Sequence, residues 1–280
     1  MLTRWLCPSG LLLSTVVVSA PAAGAGEPEK NSAPLKYSES EITAAGVDIV
    51  GLRLGMTVEE VRAVLKDRPK LKVSEEKAAI FFSEPEKKAP NGMGGFVTRF
   101  PAENHVRTLE AVGDNGREQI RVRFTPSTGE ERVMLVSRLL NLPDKSMFDS
   151  TRQAVLDKYG APTGQRSDGL TDTFWWLFGK HKSDRCNREA LLVDGNKHSW
   201  TVSKKDLASI DFTLKECGAA YLRIGVFRGS VFPASVNAQL VSLAMAVAPT
   251  QQAIERGQAT LEQEEKDRIS KAKSAPKPDL

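Results

Sequence analysis

Leu54-Gly55-Met56-Thr57-Val58-Glu59-Glu60-Val61-Arg62-Ala63-Val64-Leu65 is the stretch on which the fold turns. Thr57 followed three places later by Glu60 spells a capping box, in which each side chain serves a backbone N–H that a helix start leaves unbonded. Val58, Val61, Val64 and Leu65 recur at helical spacing and make one apolar stripe, and Pro69 stops the helix. A short apolar run from Val47 to Leu54 leads into it through Gly55.

Downstream the period shortens to two. Ala79–Phe82, Gly95–Phe100, Arg107–Val112, Gln119–Phe124 and Arg132–Val136 include runs that alternate apolar with charged residues, as antiparallel strands with one wet face do. Asp114-Asn115-Gly116 and Ser127-Thr128-Gly129 supply turns between them. The second half repeats this order. Pro143 and Asp144 open a break, Met147–Tyr159 forms an amphipathic helix, and Gly160 and Pro162 end it. Thr173–Phe178, Leu207–Leu214, Ala220–Phe227 and Leu240–Val247 are then expected as the strands of a second sheet. Ala63-Val64-Leu65 recurs as Ala154-Val155-Leu156 in the helices, and Leu135-Val136-Ser137 recurs as Leu240-Val241-Ser242 in the last strands. The expected class is α+β, with two tandem units, 46–142 and 143–249, each a helix packed on an antiparallel β-meander.

The flanks differ in composition. Arg4, then Leu11–Ala20, then Pro21-Ala22-Ala23-Gly24-Ala25 has the charge, apolar core and small-residue ending of a secretory signal, with cleavage expected after Ala25. The apolar core of about ten residues falls short of the ~20 that span a bilayer, so no transmembrane segment is expected after cleavage; a retained anchor is the competing reading. Residues 26–45 read as a disordered leader, with order beginning near Val47, and 250–280 as a charged tail, helical or disordered, in which Ile254, Leu261 and Ile269 are too sparse to bury a helix well.

Cys7 leaves with the signal, so Cys186 and Cys217 are expected to form one disulfide in an oxidising compartment. Two alternatives stay open: a zinc site using His181, Asp184 or His198, which lacks both C-x-x-C and H-x-x-x-H spacing, and two buried free thiols. A net charge of +4, from 39 basic and 35 acidic residues spread along the chain, marks no face for phosphate and argues against nucleic acid.

The segment Leu54–Val61 resembles the entry to the helical unit of SmpA/OmlA-type (BamE-like) outer-membrane assembly proteins, where G-M-T leads into a helix. Val155-Leu156-Asp157-Lys158-Tyr159-Gly160-Ala161-Pro162 with Phe174-Trp175-Trp176 is similar to that family's helix end and the aromatic strand after it. Two such units in tandem resemble the β-lactamase-inhibitor-protein architecture, which presents a concave sheet to a partner. The resemblance covers about 20 residues in each half and lacks a lipidation cysteine. It implies that Gly55 and Thr57 turn and cap the first helix, and that Trp175 or Trp176 fills space between helix and sheet.

Catalytic constellations are sparse. His105, His181 and His198 have no G-x-S-x-G beside them. Ser74 to Lys77 spells S-x-x-K, the pattern in which a lysine helps deprotonate a serine, but the same spelling recurs at Ser270 to Lys273 and K-T-G is absent. Asn91–Gly95 lacks phosphate-loop spacing and is expected as a hairpin loop. Glu59-Glu60 and Glu75-Glu76 are adjacent, where side chains diverge, so they make poor acid/base pairs.

What remains is surface recognition without cofactor or metal: a periplasmic or secreted protein binding a protein or cell-envelope component through a sheet face. Arg121 and Arg123 are candidate charged contacts, and Trp175, Trp176 and Trp200 candidate aromatic ones, the competing view being that the indoles are core. The alternative function is an envelope hydrolase acting on cell-wall or peptide substrates.

Overall fold

A computed structural model describes residues 36–88, 95–99, 105–113, 115–126, 130–144, 147–182, 199–229 and 234–274. Lys36–Leu280 forms one compact unit. Its helices are α1 (Glu39–Thr43), α2 (Val58–Lys66), α3 (Phe148–Tyr159), α4 (Lys204–Cys217) and α5 (Ala244–Ser274). The strands are β1 (Leu71–Lys88), β2 (Gly95–Arg99), β3 (His105–Gly113), β4 (Glu118–Phe124), β5 (Val133–Asn141), β6 (Gly164–Ser167), β7 (Thr171–Phe178), β8 (Ser199–Val202), β9 (Ala220–Phe227) and β10 (Ser235–Ser242). The class is therefore α+β.

Helix α2 starts as its residues dictate. The Glu60 N–H donates to Thr57 Oγ1 at 3.2 Å and the Thr57 N–H donates to Glu60 Oε2 at 2.7 Å. These bonds with Thr57 hold the Glu60 carboxyl below the usual carboxylate range, helped by Arg132 and Arg53. Thr57→Ala removes the cap and is expected to cost about 1 kcal/mol, read as a lower urea midpoint at unchanged m-value.

An eight-stranded antiparallel sheet runs in the order β1-β3-β4-β5-β10-β9-β7-β6. This replaces the expected second sheet, because β5 and β10 pair along most of their length, from Ser235↔Asn141 to Val241↔Leu135, and merge the strands of both halves. The far end of the long strand β1 also pairs antiparallel with β2 and parallel with β8.

Alternation along the strands assigns the faces. On the first face Val58, Val61 and Leu65 of α2 and Phe148 and Val155 of α3 pack on Leu109, Ala111, Ile120, Val122, Val136, Leu240, Leu222, Ile224, Phe174 and Trp176. The Val47–Leu52 loop closes this layer beside α3. The Tyr159 hydroxyl donates to Asp48 O at 2.9 Å, and Lys158 Nζ lies 3.3 Å from Asp48 Oδ1. Burial pushes the Asp48 carboxyl up, but the Gly51 N–H and Lys158 outweigh it and hold it low.

Two expected strands are corrected. Leu207–Leu214 lies within α4, because Ile210, Leu214 and Cys217 fall three and four apart and are buried together on the second sheet face, while Phe212 points away at 48% exposed. Leu240–Val247 is strand only to Ser242, whose Oγ accepts the Met245 N–H at 3.3 Å as α5 begins. α1 lies within the segment expected as a disordered leader, with a complete capping box between Ser38 and Glu41.

The tail is a helix from Ala244 to Ser274 that carries Pro249 inside it. Its first half is not merely solvated: Ala253 and Ile254 are buried against Ile80, Phe82 and Val202, with Leu261 packed alongside. Three apolar side chains suffice because the buried contact falls on about two turns, where Gly257 lets Phe82 reach the helix backbone. Ile269 remains 45% exposed. No helix among the described residues is long and apolar enough to cross a membrane.

Candidate functional site: the second face of the sheet

α4 and the start of α5 cover one end of the second face. Ile210, Leu214, Cys217 and Ala246 pack there on Tyr221 and Val241, with Leu135 and Leu177 partly buried at the margin. This covered strip follows the register row Leu177–Tyr221–Val241–Leu135–Arg123.

One pleat further along, the face opens over its middle strands, although Trp175 at the β7 end stays buried. The next row in register is Trp175–Arg223–Gln239–Ser137–Arg121–Glu110–Ser74. The row beyond is Thr173–Gly225–Asn237–Leu139–Gln119–Val112. Asn237 and Leu139 are exposed, the latter at 37%, and Gly225 between Thr173 and Asn237 leaves a dent where a side chain would stand. Arg121 Nη2 lies 3.2 Å from Glu110 Oε1, which also accepts from Gln119 Nε2. Arg223 is half-buried and has no ion-pair partner among the described residues.

The expected contact residues separate on this frame. Arg121 belongs to the open row, with its side chain 44% exposed. Arg123 shares the face one pleat back, at the β4 end of the covered row, and is half-buried. Trp176 fills the first face between helix and sheet, 5.6 Å from the Tyr159 ring and 6.2 Å from Phe174. Trp175 lies on the second face at 3% exposed. Neither described indole is available as an exposed anchor, and the Nε1 of each is buried without a hydrogen-bond partner among the described residues. Trp200 is in β8, and its side chain lies outside the described residues.

Sequence reasoning missed Arg223, Gln239, Asn237, Ser137 and Leu139. No local signal singles them out: each is one residue in an ordinary strand, and only pairing of β5 with β10 sets them in adjacent rows.

The hydrolase groups are not assembled. Ser74 pairs with Glu110 and donates its hydroxyl to Glu110 O at 3.4 Å, whereas His105 pairs with Ala78 at the other end of β3, about 17 Å along the strand at ~3.4 Å per residue. His105 Nδ1 lies 3.1 Å from Glu131 Oε1. Ser74 and Lys77 lie three apart on an extended strand, not on the helix turn that would bring S-x-x-K together. His181 is exposed, with Nδ1 2.9 Å from Gly179 O, and His198 lies outside the described residues. No cluster of three metal-ligating side chains occurs among the described residues. Cys217 is 2% exposed in the α4 layer, and Cys186 lies outside the described residues, as do Ser127–Gly129 and Asn91–Gly94.

The chain matches no family model, no curated protein and no solved structure.

Proposed function

We propose that this is a non-catalytic binding protein, exported to the periplasm or beyond the cell, that recognises a protein or envelope component through the open rows of its second sheet face. The observation that carries the proposal is the uncovered middle of that face. α2, α3 and the Val47–Leu52 loop pack on the opposite side, and α4 with α5 covers one end of this side, yet Leu139 and Asn237 stand exposed on the central strands β5 and β10. A sheet centre is where a fold has most apolar area to hide, so a polar, open centre is well suited to a partner.

The tandem architecture belongs to the same proposal. α2 is followed by β1, β3, β4 and β5, and α3 by β6, β7, β9 and β10, so the sheet order is the same read inward from either edge. The repeated words fall on the facing strands, with Leu135 opposite Val241 and Val136 opposite Leu240, as a two-fold relation between the units would place them. This supports the likeness to paired BamE-like units.

Export is proposed together with a Cys186–Cys217 disulfide. The bridge closes a loop of some 30 residues and is expected to stabilise the fold by about 3 to 4 kcal/mol. Intact mass of the native protein should match two hydrogens fewer than the reduced form, and reduction should lower the thermal midpoint. Two titratable thiols in the native product would defeat this part.

The binding proposal is tested by a photoreactive amino acid installed at Leu139, at Asn237 and, as a helix-side control, at Asp157 in the native host. Cross-links from 139 and 237 but not from 157 are expected. Equal capture from both sides, or none from the sheet, would overturn it.

A further inference from the structure

We infer that the partner surface read by this face is an acidic segment of a protein, held at two points by Arg223 and Arg121. The inference rests on the binding proposal above and gives it a chemistry.

Register and alternation place Lys72, Arg121, Arg123, Arg166 and Arg223 on the second face against Glu76 and Glu110 among the described residues, a cationic excess on a chain whose charges nearly balance overall. The excess is not evenly used. Glu110 offsets Arg121, and Glu76 lies 3.7 Å from Arg107. Arg166 lies near Asp168, whose carboxyl is held low chiefly by the Thr171 and Leu170 N–H groups, with a smaller contribution from Arg166. Arg223 is half-buried and has no carboxylate in ion-pair range among the described residues. A guanidinium in that position gives up part of its hydration without a charged partner, and its planar fork suits a carboxylate approaching from the open side.

The row supplies the rest of the geometry. Between Arg223 and Arg121 stand Gln239 and Ser137, neutral groups able to donate and accept hydrogen bonds. Three strand spacings of ~4.8 Å separate the two arginines by about 14 Å. An extended chain crossing the strands covers that distance in about four residues at ~3.4 Å each, so carboxylates four apart meet both cations. Leu139 and the dent at Gly225 lie one row away and accept small apolar side chains of the same segment. Phosphate-rich partners fit less well, because two cations 14 Å apart with amide and hydroxyl groups between them do not converge on one phosphate.

The test uses the full mature chain and a rhodamine-labelled extended peptide with two aspartates four residues apart. Controls are its twin with asparagines, phosphatidylglycerol vesicles and dextran sulfate. Saturable anisotropy change with the aspartate peptide is expected, with at least tenfold weaker binding of the asparagine twin and at least tenfold loss in Arg223→Gln. The Arg223→Lys variant, which keeps the charge but not the fork, should fall between, and an unchanged thermal midpoint excludes misfolding. Equal binding of both peptides, no peptide binding, or binding of vesicles or dextran sulfate in preference to the peptide would each overturn the inference. The two proposals separate cleanly: if position 139 still captures a protein in cells with equal yield in Arg223→Gln, sheet-face binding stands and the acidic-segment inference falls.

Discussion

Gly218→Ala is expected to destabilise the protein by about 3 kcal/mol or more, among the largest effects of any single methyl addition. Gly218 ends α4, its N–H donating to Leu214 O at 2.9 Å, and the chain turns there at φ +79 before entering β9 at Ala220. A side chain is disfavoured at that φ by itself, by about 1 kcal/mol. The added Cβ would also stand 2.5 Å from the Phe178 carbonyl oxygen, which is backbone of β7 and already accepts the Ala219 N–H at 2.9 Å. Neither group has room to yield without breaking that bond. Because the turn also brings Cys217 of α4 and Tyr221 of β9 into one buried layer, the loss should appear in guanidinium unfolding and in faster amide exchange of α4 and β9. A midpoint within experimental scatter of the parent would contradict the tight joint.

Gly257→Ala is expected to reverse the usual helix preference. In an exposed helix interior alanine gains up to about 1 kcal/mol over glycine, but here the new Cβ would lie 2.2 Å from Phe82 Cγ, and Phe82 is fully buried. Either the ring moves or α5 lifts from β1 and β8. The expected cost is several kcal/mol, in the range of severe core overpacking, with amide protection lost first in α5. Phe82→Ala alone should cost about 3 to 5 kcal/mol by leaving a void. The pair Phe82→Ala with Gly257→Ala should cost less than the two separate losses added together, since the alanine methyl then enters space the ring has vacated. Strict additivity would mean that the two residues do not meet.

Much of the secondary structure was legible because it rests on local chemistry. The Thr57–Glu60 box starts α2, Gly160 ends α3, and the alternating runs of β3, β4 and β9 are strands in the structure. α4 was not legible: Leu207-Ala208-Ser209-Ile210-Asp211-Phe212 offers apolar residues at both periods, and only the buried surface of Tyr221 and Val241 selects the helix. The anchoring of α5 escaped notice for a related reason. A glycine inside a helix weakens it locally, and its compensating contact with Phe82 comes from a strand 175 positions earlier in the chain.

The candidate site divides the same way. Arg121 could be nominated from the alternation of β4 by itself, because a charged residue between Ile120 and Val122 must face away from the core. Trp175 and Trp176 could not be sorted, since adjacent strand residues point to opposite faces and the covering layers come from distant segments.

By itself, then, the sequence determined where α2 and α3 start and stop, the alternating strands and the α+β class, since caps, turns and periodicity act within a few residues of one another. Tertiary structure alone decided that β5 meets β10, that α4 and α5 shelter only part of the second face, and that Arg223, Gln239, Ser137 and Arg121 form one row. These depend on strand register between residues about a hundred positions apart, and register is set by how buried faces fit together rather than by any preference of the residues taken singly.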